Sequence, residues 1–90
     1  MNEEKICQNH AIAWRVLEGE SVLIDPSCGT VFVLNSVGSR IWELLETPTT
    51  ANELERRVAE DHNRECEQVH DDVEHFLDTL RDRQLIQRVE

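Results

Sequence analysis

The sequence predicts an α+β fold in which a three-stranded antiparallel sheet precedes three helices. Three observations favour this class: apolar and polar residues alternate over 12–17, two short apolar runs flank the turn sequence DPSCG at 25–29, and amphipathic segments follow residue 35. Alternation is typical of half-buried strands, whereas apolar residues three or four apart are typical of helices. The 90 residues suffice for one small domain.

Each predicted strand is bounded by turn residues. The first strand alternates over 12–17, a turn at 18–20 follows it, and the second strand covers 22–24. The segment 25–29 opens with Asp-Pro and ends with Gly, which is typical of a type I turn with a glycine exit. The third strand covers 30–34, so the sequence predicts an antiparallel meander.

The first two helices are marked by capping residues. Asn35 or Ser36 caps the first helix, which ends before Pro48 because a residue that precedes proline avoids helical angles. Thr50 and Glu53 form a capping box, in which the two side chains each satisfy an otherwise free backbone N–H.

The third helix has the strongest apolar stripe. A change of pattern at 62–65 ends the second helix and places the start of the third near Glu65. The apolar residues that follow recur at helical spacing. They are Val69, Val73, Phe76, Leu77 and Leu80.

The two ends of the chain carry weaker signals. Residues 1–11 are polar and unpatterned, so we expect a flexible arm, with the folded domain over 12–90. Residues 85–89 predict a short closing strand or an extended tail. The sequence contains neither a signal-peptide pattern nor a long apolar run, and we expect a cytoplasmic protein.

The charge balance makes several classes of partner poor candidates. Acidic residues outnumber basic ones by 19 to 9, which gives a formal net charge of −10. A surface of this sign repels nucleic-acid phosphates and anionic lipid headgroups. The sequence therefore indicates neither a nucleic-acid partner nor a membrane partner.

The cysteines and histidines offer one candidate metal site. His62, Cys66 and His70 are spaced four apart, as zinc ligands on one helix face can be. The break in pattern near Glu65 separates His62 from the other two, so we expect no metal and no cofactor. Cys66 is expected to be a partly buried filler, and Cys28 an exposed turn residue. With an odd number of cysteines and no Cys-x-x-Cys spacing, no disulfide framework is predicted.

The acidic side of the third helix contains one residue that stands apart. Asp71, Glu74 and Asp78 lie on the polar side, where a charged face is ordinary. The helical angle of Asp72 places it beside Val69 and Phe76, at the edge of the apolar stripe. Asp72 could therefore line a groove and receive a cation from a ligand.

The order and spacing of these features resemble the PqqD-like family of peptide-binding domains. The resemblance covers about residues 12–89. It is carried by Asp25-Pro26, Gly29, Leu34-Asn35, Gly38, Ile41-Trp42, Leu44-Leu45, Thr49-Thr50, Asp72-Val73, Phe76-Leu77, Leu80 and Leu85-Ile86.

The resemblance implies a winged helix-turn-helix-like fold known as a precursor-peptide recognition element. In this family the leader peptide adds as a strand along the third strand and packs against the third helix. The peptide-binding residues implied here are Thr30, Val31, Phe32, Val33 and Leu34 on the strand, and Val69, Asp72, Val73, Phe76 and Thr79 on the helix. An acidic groove rim would favour leaders with basic residues.

The predicted function is a non-catalytic peptide chaperone. It would bind the leader of a ribosomally made precursor peptide and present it to a modifying enzyme, such as a radical S-adenosylmethionine protein or a leader peptidase. Both a monomer and a dimer are compatible with the sequence. One alternative is a DNA-binding winged-helix regulator, although residues 51–83 contain 11 acidic and 5 basic residues. Another is a small metal- or thiol-dependent enzyme subunit.

Overall fold

The computed structural model describes residues 4–89, which form six strands and three helices. This confirms the α+β class. In chain order the elements are β1 (Lys5–Gln8), β2 (Ala13–Leu17), β3 (Glu20–Asp25), β4 (Thr30–Leu34), α1 (Ser36–Leu44), β5 (Thr49–Thr50), α2 (Ala51–Asp61), α3 (Cys66–Asp82) and β6 (Ile86–Val89).

The predicted meander is confirmed as an antiparallel sheet with the order β2-β3-β4. Its first hairpin turns through Glu18 and Gly19, whose φ angles of 52° and 82° are typical of a tight two-residue turn. Its second hairpin closes where the Gly29 N–H donates to the Asp25 carbonyl oxygen at 2.7 Å. Gly29 has a φ of 72°, a conformation that favours glycine.

A second sheet, with the order β5-β1-β6, includes part of the segment expected to be a flexible arm. That expectation is wrong for Lys5–Gln8, which pairs antiparallel with both Thr49–Thr50 and Ile86–Val89. Ile6 is buried, and the buried side chain of Gln8 donates from Nε2 to the Trp42 carbonyl oxygen at 2.8 Å. Residues 1–3 of the expected arm lie outside the described residues.

The helices begin at the predicted caps. The Asn35 side chain accepts a hydrogen bond from the Gly38 N–H at 2.8 Å, so Asn35 rather than Ser36 caps α1. The Thr50 hydroxyl accepts from the Glu53 N–H at 3.1 Å, whereas the Glu53 carboxylate binds Arg56. The Glu53 side chain therefore forms an ion pair along α2, and not the second hydrogen bond of the predicted capping box.

One core lies between the two sheets and the three helices. Trp42 is fully buried at its centre, and the half-buried ring of Trp14 meets it edge to face, with 6.1 Å between ring centroids. The apolar stripe of α3 contributes Val73, Leu77 and Leu80 to this core. No helix within residues 4–89 combines the length and apolarity that crossing a membrane would require.

A hydrogen bond from a histidine joins α2 to α3. His70 Nδ1 lies 2.9 Å from Oε1 of Glu55, whose side chain is only 8% exposed. The hydrogen bond and the charge of Glu55 raise the pKa of His70 above its usual 6.5, and Glu74 and Asp71 add to the effect. Protonated His70 thus supplies the positive partner that a buried carboxylate requires.

This contact predicts pH-dependent stability. The pKa of His70 is raised in the folded state. Its contribution to the free energy of unfolding is therefore fully present below the pKa of the unfolded state and is lost as pH rises through the pKa of the folded state. Denaturant unfolding of the wild type and His70→Gln should therefore differ most at acidic pH and converge as pH rises. His75→Gln is the control for the loss of an imidazole from the same helix. A His70→Gln difference that is independent of pH would contradict the assignment.

The N-terminal strand gives a second prediction. Ile6 is 2% exposed in the centre of β1, so Ile6→Ala should lower the free energy of unfolding by about 2–5 kcal/mol. Urea unfolding measures this. Lys5→Ala, at an exposed neighbouring position, should change it by less than about 0.5 kcal/mol. Equal, negligible effects of the two substitutions would mean that the segment does not pack on the core.

Candidate functional site

The β4 strand is an edge of its sheet. It pairs with β3 on one side, and on the other side no strand within residues 4–89 pairs with it. Val31 and Val33 are exposed on it at 55% and 62%, whereas Phe32 and Leu34 are half-buried against the core. An edge of this kind leaves backbone donors and acceptors available to another strand.

The hydrogen-bond geometry indicates which backbone groups face outward. The buried Ser39 hydroxyl accepts from the Ser21 N–H at 2.6 Å and donates to the Leu34 carbonyl oxygen at 3.1 Å, so these two groups face each other across the β3–β4 pair. Outward and inward groups alternate along an antiparallel strand. The N–H and C=O groups of Phe32 therefore point to β3, and those of Val31 and Val33 point away from the sheet.

A groove of about 610 Å³ separates the end of β4 and α1 from α3. Buried apolar side chains at its base belong to both sides, with Ile41 on α1 and Val69 and Val73 on α3. The rest of the lining comes from β4, α1, the end of α2 and α3. These residues are Val33, Leu34, Asn35, Val37, Gly38, Val58, His62, Arg64, Asp72, His75 and Phe76.

A close approach of α1 and α3 sets the width of the groove. Gly38 faces Phe76 so closely that a Cβ atom there would lie 3.1 Å from Cζ of the ring. The missing side chain lets the half-buried Phe76 ring lie against the first turn of α1. At the middle of β4, the Arg83 guanidinium lies 5.4 Å from the centroid of the Phe32 ring. This stacking joins β4 to the C-terminal end of α3.

The residues expected to bind peptide fall into two groups. Val33, Leu34, Val69, Asp72, Val73 and Phe76 line the groove. Thr30, Val31 and Phe32 belong to the β4 edge but not to the lining. Thr79 lies outside the lining, exposed, and its hydroxyl donates to the His75 carbonyl oxygen at 3.1 Å.

The positive side of the groove was not predicted from the sequence. Arg64 and His62 line it from the connection between α2 and α3, and His75 lines it from α3. Asp72 is the acidic residue of the lining, so the groove carries one carboxylate and one guanidinium although the chain has a net charge of −10. The sequence contained one signal for this positive side, because Arg64 is an arginine within a strongly acidic segment.

His62, Cys66 and His70, the candidate metal and thiol residues, do not share one helix face, although their spacing would have allowed it. His62 lies beyond the end of α2, and Cys66 begins α3, which confirms the predicted break. Cys66 is exposed and not partly buried, because the first turn of α3 does not pack on the core. His70 lies instead with Glu55 and Glu74, with ligating atoms within 4.8 Å of one another. Its hydrogen bond to Glu55 accounts for this approach, and we assign it no metal role.

Comparison with known proteins gives one family and one solved structure. The family model described as coenzyme PQQ synthesis protein D (PqqD) matches residues 20–86. A structure of TbiB1 in complex with the TbiA(beta) leader peptide is 30% identical, with a TM-score of 0.82 over 90% of this chain and 94% of that one. No curated protein matches. Because the family model spans β3 through the start of β6, the chain belongs to the PqqD family.

Proposed function

We propose that this protein binds the leader segment of a ribosomally made precursor peptide and presents it to a modifying enzyme. The observation that carries the proposal is an open strand edge beside an apolar groove. Val31 and Val33 direct their backbone groups outward along β4, and Val69 and Phe76 of α3 lie across the groove from it. An extended peptide could use both surfaces together.

The β4 edge would contribute affinity without selectivity. Each backbone hydrogen bond contributes about 0.5–1.5 kcal/mol net, whatever the side chains of the partner. Val31 and Val33 offer two N–H donors and two C=O acceptors. Strand addition alone therefore accounts for weak binding of many extended peptides.

The groove would contribute the selectivity. Side chains of an added strand alternate between its two faces, so every second side chain of the leader would enter the space between β4 and α3. The buried aliphatic groups of Ile41, Val69 and Val73 favour apolar side chains there. The Phe76 ring offers a further flat apolar contact.

The solved relative supports this use of the fold. The structure of TbiB1 is that of its complex with a leader peptide, and its chain is similar to this one over nearly the whole length. We infer that the present protein acts as a binding module without catalysis of its own, in the cytoplasm. The partner would be an enzyme that modifies or cleaves the precursor, such as a radical S-adenosylmethionine protein or a leader peptidase.

Proline at an outward-facing position of β4 tests the proposal. Val33→Pro removes an N–H that points away from β3, so the β3–β4 pair should survive, as edge strands tolerate proline there. Calorimetric titration with synthetic leaders encoded beside the gene should show binding to the wild type and at least about tenfold weaker binding to this variant.

Val33→Thr is the matched control because it keeps both the N–H and the shape of the exposed side chain. It should bind as the wild type does, and circular dichroism should give all three proteins the same fold. Equal affinity of Val33→Pro and Val33→Thr for a leader would exclude strand addition at β4. Absence of binding by every neighbouring leader would exclude the proposed function.

A further inference from the structure

We propose that the groove selects leaders with an acidic side chain at one position. Arg64 would hold that side chain at one end of the groove, where the α2–α3 connection forms the wall. The inference rests on the proposed function and adds the chemical class of the ligand. It opposes the preference for basic leaders expected from the acidic rim.

The backbone fixes Arg64 at that place. After α2 ends at Asp61, Asn63 adopts a left-handed φ of 54°. The Arg64 N–H then donates back to the Ala59 carbonyl oxygen at 2.8 Å, which is the helix-ending bond of a Schellman motif. Arg64 is therefore presented by a defined turn and not by a loop without internal bonds.

The guanidinium of Arg64 has no partner among residues 4–89. Among residues 4–89 it makes neither an ion pair nor a side-chain hydrogen bond, although acidic residues are abundant. Arg40, Arg56, Arg57 and Arg81, in contrast, each pair with a carboxylate. A planar donor left free at the wall of a groove is suited to bidentate binding of a carboxylate from a ligand.

The lining of the groove is less acidic than the chain as a whole, because it contains one arginine, Arg64, and one carboxylate, Asp72. Physiological salt screens exposed charges beyond about 8 Å, so most of the acidic surface acts weakly on a group inside the groove. His62, two residues before Arg64, also lines the groove and offers an imidazole N–H. Asp72 lines the groove without pairing with Arg64, so it would repel an acidic side chain at its own position. Selection for an acid should thus be confined to one position of the leader.

Selection from a displayed library of random peptides tests the inference without a known leader. The targets are the wild type, Arg64→Glu and Arg15→Glu, at physiological ionic strength. Arg15→Glu makes the same change of charge at an exposed position outside the groove. The wild type and Arg15→Glu should enrich peptides with Asp or Glu at one position among apolar residues, and Arg64→Glu should enrich Lys or Arg there.

Titration of the enriched peptides measures the contact directly. Replacing the selected acid by its amide should weaken binding to the wild type about tenfold and should have little further effect on Arg64→Glu. Enriched peptides that are sensitive to Val33→Pro but indifferent to Arg64→Glu would overturn the acidic preference and leave the proposed function standing. If no enriched peptide is sensitive to Val33→Pro, both are overturned.

Discussion

The hydrogen bonds of one buried hydroxyl fix the register of β4, and with it the backbone groups that its open edge exposes. Ser39, on α1, bridges the Ser21 N–H and the Leu34 carbonyl oxygen, so the end of the β3–β4 pair is bonded to the helix that follows it. These two hydrogen bonds hold β4 in one register, with Phe32 and Leu34 toward the core. The groove depends on the same two hydrogen bonds, because they fix the position of α1, whose Gly38 and Ile41 line the groove opposite α3.

Local signals in the sequence predicted most of the fold. Turn residues at 25–29 and the caps Asn35 and Thr50 act within a few residues of their own position, so they could be read directly. The closing strand β6 was predicted, but the second sheet that contains it was not, because β1 pairs with β6 some eighty residues away. The burial of Gln8 could not be predicted either, since its polar side chain is buried only because the Trp42 carbonyl accepts its hydrogen bond.

The candidate site was predicted only in part, for a similar reason. The family resemblance implied Val69, Val73 and Phe76 as peptide-binding residues, and Asp72 also followed from its helical angle. Arg64 lies in a connection whose course depends on the left-handed conformation of Asn63, which the sequence does not specify. The resulting groove combines an apolar base with a guanidinium that has no partner among residues 4–89, in a chain with a net charge of −10.

Amide hydrogen exchange along β4 tests strand addition most directly. In the free protein the Phe32 amide should be protected by β3, while the Val31 and Val33 amides exchange rapidly with solvent. At saturation with a leader, the amides of Val31 and Val33 should become protected, while Phe32 remains so. Binding that leaves Val31 and Val33 exchanging as in the free protein would contradict the account.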